Sequence, residues 1–450
     1  MTSQEWMDLD QAYVCNTYAR FPLCVEKGKG AVCWSPEGKR YIDFSSGIGV
    51  NSLGFCDADW VKAVSDQAAA VQHISNLFYT EPCIALAQML CARTGMKKVF
   101  FCNSGAEANE GAIKAARKYS FDRYGKGRAE IVALNNSFHG RTMATLSATG
   151  QSVYHNYFFP FVEDYRFVDS GDFSQLEAAV GEKTCAVMME LIQGEGGVIA
   201  QDPEYVRAVE KLCRKKDVLL VIDEVQTGIG RTGKLLACEH YGISPDIVTI
   251  AKGIGGGLPL GAVLFGEKTE GVLGFGQHGT TFGGNPVACA GGEVVLSKLN
   301  EALLAEVREK AAYLRGKIAA MPGVRAVSGL GLMIGMELEG KSAREVVSAG
   351  IEQGLIALTA KDRVRLLPPL TITREEIDEG LQILERVLQM YQAVAALPAA
   401  RPRERRLLDP DKKYPKKLEK TLDNRSEFVY YNQAVSKNGL QGSKTEPVME

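Results

Sequence analysis

Two hydrophobic periods alternate along this chain, and where they alternate marks out its parts. From about residue 80 to 300, short β-branched runs at 98–102, 131–135, 186–191, 218–223, 247–251 and 262–266 predict buried strands. Between them the 3.6-residue period predicts helices near 82–94, 106–120, 203–216 and 286–299. That rhythm argues for an α/β fold with a mostly parallel sheet covered by helices on both faces. Residues 31–44 read as a hairpin, two apolar runs around Ser35-Pro-Glu-Gly38. After residue 300 come a charged helix (301–320), strands near 324–338, a helix at 342–353 and strands near 355–360 and 363–367. A last helix begins at the capping box Thr373-Arg-Glu-Glu376 and runs to about 393. The expected division is a large domain at 51–300, a smaller α+β domain at 301–395 and a segment 1–50 packing with the smaller one. From 396 to 450 the periodicity disappears and Pro, Arg and Lys accumulate, which predicts a basic, disordered tail.

Composition narrows the class. Hydrophobic residues at 46%, charged residues at 24% and a net charge of −2 are those of a globular protein with no field to recruit nucleic acid or an anionic membrane. The basic tail has too few interleaved aromatics to read as a nucleic-acid binder. Eleven cysteines lie scattered in apolar stretches, with no C-x-x-C pair and no Cys/His cluster at zinc spacing. Free thiols in a reducing cytoplasm, and no metal site, are expected. The opening residues carry Glu5, Asp8 and Asp10 without an apolar core, so no signal peptide is expected, and no apolar run reaches membrane-spanning length.

The candidate chemistry gathers at strand ends. Lys252 follows the run Asp246-Ile-Val-Thr-Ile-Ala251 and precedes Gly253-Ile-Gly-Gly-Gly257, so it emerges at the carboxyl end of a buried strand, where open α/β sheets bind ligands. It is either a solvated loop lysine or a desolvated amine able to form a Schiff base, with the glycines letting a flat group approach. Asp223 ends the strand one crossover earlier. It either caps a turn or faces a cationic ring nitrogen; lysine plus carboxylate is what pyridoxal phosphate needs. Ser104, Gly105 and Ala106 open a helix after the run Val99–Cys102, and their N–H groups form a phosphate cradle. In Ser137-Phe-His-Gly-Arg141, Phe138 is a core residue or a stacking ring, and Arg141 a surface residue or a carboxylate fork. His139 is assigned no catalytic role.

Together these segments resemble the class III, or ω-amino-acid, branch of fold-type I pyridoxal-phosphate aminotransferases. The resemblance covers most of 12–394 and rests on Asn103–Glu110, Phe138–Arg141, Glu190-Leu-Ile-Gln-Gly-Glu195, Asp223-Glu-Val-Gln-Thr-Gly228, Ala251-Lys-Gly253 and Thr280-Thr-Phe-Gly-Gly-Asn-Pro286. It implies that the 51–300 domain holds the cofactor. Lys252 would carry the cofactor and move the proton, Asp223 pair with the pyridinium, and Gln226 contact the phenolic oxygen. Phe138 would stack on the ring, and Ser104, Gly105 and Ala106 hold the phosphate. Thr281 would reach the phosphate of a second subunit, which implies a homodimer with shared sites. Glu195 is expected to pair with Arg365 and swing aside when 2-oxoglutarate brings a carboxylate, unless the pair is a static ion pair. Arg141 would grip the other carboxylate and Glu190 support the pocket floor.

Tyr18-Ala-Arg20, Gly47-Ile-Gly-Val50, Ser75-Asn-Leu-Phe-Tyr79 and Val364-Arg-Leu-Leu-Pro-Pro369 most resemble the acetylornithine-type members, with Tyr18 and Arg20 among the substrate contacts. Gly47 stands where ornithine-type members usually carry tyrosine. The implied reaction moves the δ-amine of N-acetylornithine, or the amine of N-succinyl-diaminopimelate, to 2-oxoglutarate. Ornithine and 4-aminobutyrate aminotransferases are the alternatives, followed by an aminomutase or decarboxylase and a non-catalytic regulator of the same fold. One departure is Phe55-Cys-Asp-Ala58, where the family commonly has His-x-His-Pro.

Overall fold

Seven strands make the central sheet: β1 (Lys98–Cys102), β2 (Glu130–Leu134), β3 (Tyr165–Val168), β4 (Thr184–Met189), β5 (Leu219–Asp223), β6 (Ile247–Ile250) and β7 (Gly261–Phe265). Their spatial order is β1-β7-β6-β5-β4-β2-β3, and only β7 runs antiparallel to its neighbours. The computed structural model describes residues 1–395, so the tail expected at 396–450 lies outside the described residues. Met1–Gln392 form one compact unit.

Both faces of the sheet are buried, which is why its strands read as continuous apolar runs. Leu220 and Ile222 of β5 join one core with Val187, Met189, Val248, Ile250 and the helices Glu81–Thr94, Pro203–Lys216 and Pro286–Lys298. Leu219 and Val221 face the other core with Ala186, Met188, Ile247 and the helix Gly105–Tyr124. That helix turns Ala108, Ala112, Ala115 and Ala116 inward, small residues that let its backbone lie close to the sheet. The helix Pro203–Lys216 illustrates how local signals set an element. Asp202 accepts from the N–H groups of Glu204 and Tyr205, Pro203 takes the first position, and Val206, Val209 and Cys213 bury one face. Asp217 ends it in a left-handed conformation, after Arg214, Lys215 and Lys216 at the negative end of the helix dipole.

The expected hairpin at 31–44 is present as Val32–Trp34 paired with Arg40–Asp43, and Leu355–Ile356 extends that sheet in parallel. The segment near 324–338 is two antiparallel strands, Val324–Leu330 and Met333–Leu338, turning at Gly331. Arg363–Leu366 and Leu358–Ala360 complete that sheet. The capping box at Thr373 forms in both directions, at 2.8 and 3.2 Å. Arg231, fully buried, donates to the carbonyls of Leu332 and Pro368 and to Ser46, tying three distant segments together beside Gly49. Burial lowers its pKa to about 10, with Asp43 opposing the shift. No helix among the described residues is long and apolar enough to cross a membrane.

Candidate active site

The carboxyl ends of β1, β2, β4, β5 and β6 open on one cavity of about 450 Å³. Because the parallel strands all point the same way, residues far apart in sequence arrive at one rim. Ser104, Gly105, Ala106, Phe138, Arg141, Glu190, Glu195, Asp223, Gln226 and Lys252 all line it.

Lys252 follows β6 and adopts φ +50°, a left-handed conformation rare for a side-chain-bearing residue. Among the described residues nothing hydrogen-bonds its amine. Burial pulls its pKa below the ordinary lysine value and Arg365 adds to that, while Glu195, Asp223 and Glu190 oppose it. Of the glycines after it, Gly257 lines the cavity, while two others have a packing role. Space for a Cβ at Gly253 is taken by Ser52, and at Gly256 by Trp60, so both serve packing within the chain.

Asp223, almost fully buried, is held on both oxygens. Oδ2 accepts from Asn109 Nδ2 and His139 Nδ1, each at 2.8 Å, and Oδ1 accepts from the Val225 N–H at 3.0 Å. Asn109 is fixed in turn by donating to the His139 carbonyl at 2.8 Å and accepting from Thr249 at 2.7 Å. Thr249 stands beside Asp223 in the β5–β6 register. Burial pushes the His139 pKa down, but its bond to Asp223 and the charges of Asp223 and Glu190 outweigh that and leave it raised. Sequence reasoning missed both supports. The available signal was Asn109 itself, an amide on the alanine-rich buried face of its helix.

Glu190 accepts from the N–H groups of Phe138 and Gly194, at 2.8 and 3.2 Å. Burial pushes its carboxyl up to about 7, with His139 opposing and Asp223 adding. Arg141 lies 4.0 Å over the Tyr154 ring and 5.5 Å over Phe138, so aromatic faces hold an otherwise exposed guanidinium at the rim.

Glu195 is ion-paired with Arg365, a buried residue of the strand Arg363–Leu366 that stands behind the cavity lining. Burial pushes Glu195 up, but the charge and hydrogen bond of Arg365, with Lys252, outweigh it and hold the carboxyl below its ordinary range. Gln226 donates to Glu195 at 3.4 Å and accepts from Arg365 at 3.2 Å. The Arg365 Nε is buried with no acceptor among the described residues.

Three expected site residues stand elsewhere. Tyr18 is exposed and stacks with Arg20, which is ion-paired to Asp10 at 3.1 Å. Thr281 is exposed, and none of the three lines this cavity.

This geometry belongs to a known class. The sequence matches the family described as aminotransferase class-III over residues 13–388, and the chain belongs to that family. It is a transaminase with the fold-type I architecture. Among curated relatives, an acetylornithine aminotransferase of Haemophilus ducreyi is 49% identical over 390 residues, covering 86% of this chain and 99% of the relative. One from Caldanaerobacter subterraneus is 47% identical over 385 residues, covering 84% and 98%. Among solved structures, the ornithine aminotransferase of Toxoplasma gondii superposes with TM-score 0.83 at 32% identity, covering 88% of this chain and 96% of that one. The N-acetylornithine aminotransferase of Stenotrophomonas maltophilia superposes with TM-score 0.75 at 36% identity, covering 86% and 100%.

Proposed function

We propose that the chain transfers the δ-amino group of N-acetylornithine to 2-oxoglutarate, using pyridoxal 5'-phosphate, to give N-acetylglutamate 5-semialdehyde and glutamate. The observation that carries this reading is Arg365, buried and closed off from the cavity by Glu195, with its Nε still lacking an acceptor. A buried guanidinium needs a counter-charge in every state. Glu195 supplies it when the donor brings no carboxylate to that end, and the carboxylate of 2-oxoglutarate supplies it when Glu195 moves aside. The sequence relatives named as acetylornithine aminotransferases support the donor.

The cavity residues suit the cofactor. Lys252 presents a half-buried amine of lowered pKa, without a hydrogen-bond partner among the described residues, and the helix N-terminus at Ser104-Gly105-Ala106 presents N–H groups suited to a phosphate. Asp223 Oδ1 accepts one bond, leaving it a lone pair for a ring N–H. Phe138 and Val225 are apolar walls for a planar ring. Bound there, the cofactor would supply a carbonyl for amine exchange and a ring that withdraws electrons.

This chain's residues do the rest. Lys252, its pKa lowered, would hold the carbonyl end and then carry the proton to and from the carbon bearing the amine. Asp223 would orient the ring through its nitrogen, itself fixed by Asn109 and His139. Arg141, held over Tyr154, would grip the carboxylate common to both substrates. The proposed dimer is supported by Thr281 standing outside its own cavity, and by Leu77 and Tyr79, exposed at 86% and 94%, in a run of apolar residues needing cover. The eleven free cysteines support a reducing, cytoplasmic setting. We propose 51–300 and 301–395 as two divisions of the chain, the first lining the cavity and the second backing it through Arg365, which pairs with Glu195.

Ornithine aminotransferase is the second reading, favoured by the Toxoplasma gondii superposition. A panel of N-acetylornithine, N-succinyl-diaminopimelate, ornithine and 4-aminobutyrate against 2-oxoglutarate separates them. N-acetylornithine is expected to lead in kcat/KM, with Lys252→Ala inactive. A lead for ornithine would put the second reading in its place.

A further inference from the structure

Glu195, Arg365 and Gln226 form a closed triangle in which each side chain bonds the other two. Arg365 Nη1 donates to both Glu195 Oε1 and Gln226 Oε1, and Gln226 Nε2 donates to the same Glu195 oxygen. The amide that completes this triangle lies flat against Gly194. A Cβ at that position would stand 2.5 Å from Gln226 Oε1 and 2.6 Å from its Cδ and Nε2. Gly194 also donates its N–H to Glu190 at 3.2 Å, which tethers its backbone, whereas the Gln226 amide is the free end of a flexible side chain. Any side chain at 194 must therefore move the amide.

We propose that Gln226, seated on Gly194, latches the charge gate and so sets the preference between dicarboxylate and monocarboxylate ligands. The proposal rests on the reading of Glu195 and Arg365 as a movable gate. With the gate closed, Gln226 gives Glu195 a donor and Arg365 an acceptor. When Glu195 leaves, the bond from Gln226 to Glu195 is lost, and the latch therefore favours the closed state alone. An amide nitrogen carries two protons, and only one is used on Glu195. The second can meet the ring oxygen of the cofactor, so a single side chain would connect cofactor position to gate position. Gln226 and Gly194 are thus positioning residues for specificity.

Two unreactive five-carbon acids test this by calorimetric titration into the protein loaded with pyridoxal phosphate. Glutarate needs the gate open, and valerate leaves it closed. Gln226→Met removes the latch but keeps its bulk; Gly194→Ala displaces the amide without changing it. In both variants, affinity for glutarate relative to valerate is expected to rise about tenfold, the effect of removing one buried hydrogen bond to a charged group from one state only. General damage to the site would weaken both acids together. A ratio within about twofold of the parent's in both variants overturns the latch, as does a shifted cofactor absorbance in Gln226→Met with the ratio unchanged. A parent protein that fails to bind glutarate overturns the gate reading itself, and the latch with it.

Discussion

His139 Nδ1 donates to Asp223 Oδ2 at 2.8 Å, and the other ring nitrogen of that buried imidazole has no partner among the described residues. The histidine is thus committed to one carboxylate. Replacing it with leucine leaves Oδ2 with Asn109 alone. Loss of a buried bond to a charged group is worth about 1.5–3 kcal/mol, so kcat/KM is expected to fall roughly 10- to 100-fold in His139→Leu. The same variant should release cofactor faster on gel filtration, and His139→Asn, which restores a donor, should recover part of both. Unchanged kinetics with unchanged cofactor retention would remove His139 from the machinery.

Glu190 gives the protein a defined pH response. Its folded-state pKa is pushed to about 7 from an ordinary 4.5. A folded pKa above the unfolded one means that the native state holds the proton more tightly. The resulting stability is complete below about 4.5 and is lost as pH rises through about 7. At 1.36 kcal/mol per unit that loss is on the order of 3 kcal/mol. Glu190→Gln cannot ionise, and its urea midpoint should vary less between pH 5 and pH 8 than the parent's. Parallel pH profiles for the two proteins would refute the assignment.

Glu195→Ala should split the two half-reactions. Arg365 would lose its carboxylate partner in the resting state, and breaking a buried pair costs about 3–5 kcal/mol, which should appear as a lower melting temperature. Added 2-oxoglutarate should restore much of that loss by supplying the missing charge. KM for N-acetylornithine should rise while KM for 2-oxoglutarate stays level or falls. A parallel rise in both would mean that the pair is static.

Gly105 gives a steric test of the phosphate cradle. A Cβ there would lie 2.6 Å from Val225 Cγ1. Gly105→Ala must push apart the start of the helix Gly105–Tyr124 and the loop after Asp223, two sides of the cavity. Cofactor retained after dialysis should drop several-fold with little change in circular dichroism. Full retention would show that the cradle tolerates the shift.

The strand ends were readable because buried parallel strands are apolar throughout and the first polar residue after each is conspicuous, as with Asp223 and Lys252. β3 was missed because Arg166 interrupts an edge strand only four residues long, with a single fully buried residue. The helix Ser3–Tyr13 was missed because it buries no residue in this chain, and a helix without a buried face leaves no apolar stripe. The helix Ala58–Ala70 was missed although Trp60 and Val64 form a short stripe that packs beside Gly256 and Gly291. Their caps were nonetheless visible: Thr2 with Glu5, and Asp57 ahead of Ala58. Nothing local to Gln226 or Gly194 indicated their contact, which exists only once the chain has brought β4 and β5 side by side.

Lys252 sits in a left-handed backbone conformation that asparagine and glycine adopt easily and lysine does not. Burial in the cavity also disfavours the charged form of its amine, which has no hydrogen-bond partner among the described residues. Both effects lower stability, the first by about 1–2 kcal/mol. Cofactor-free Lys252→Asn should accordingly melt above the cofactor-free parent. At this one position, sequence selection for robustness and for activity would choose different residues, a trade-off that a library screened only for thermal tolerance would resolve by discarding the lysine.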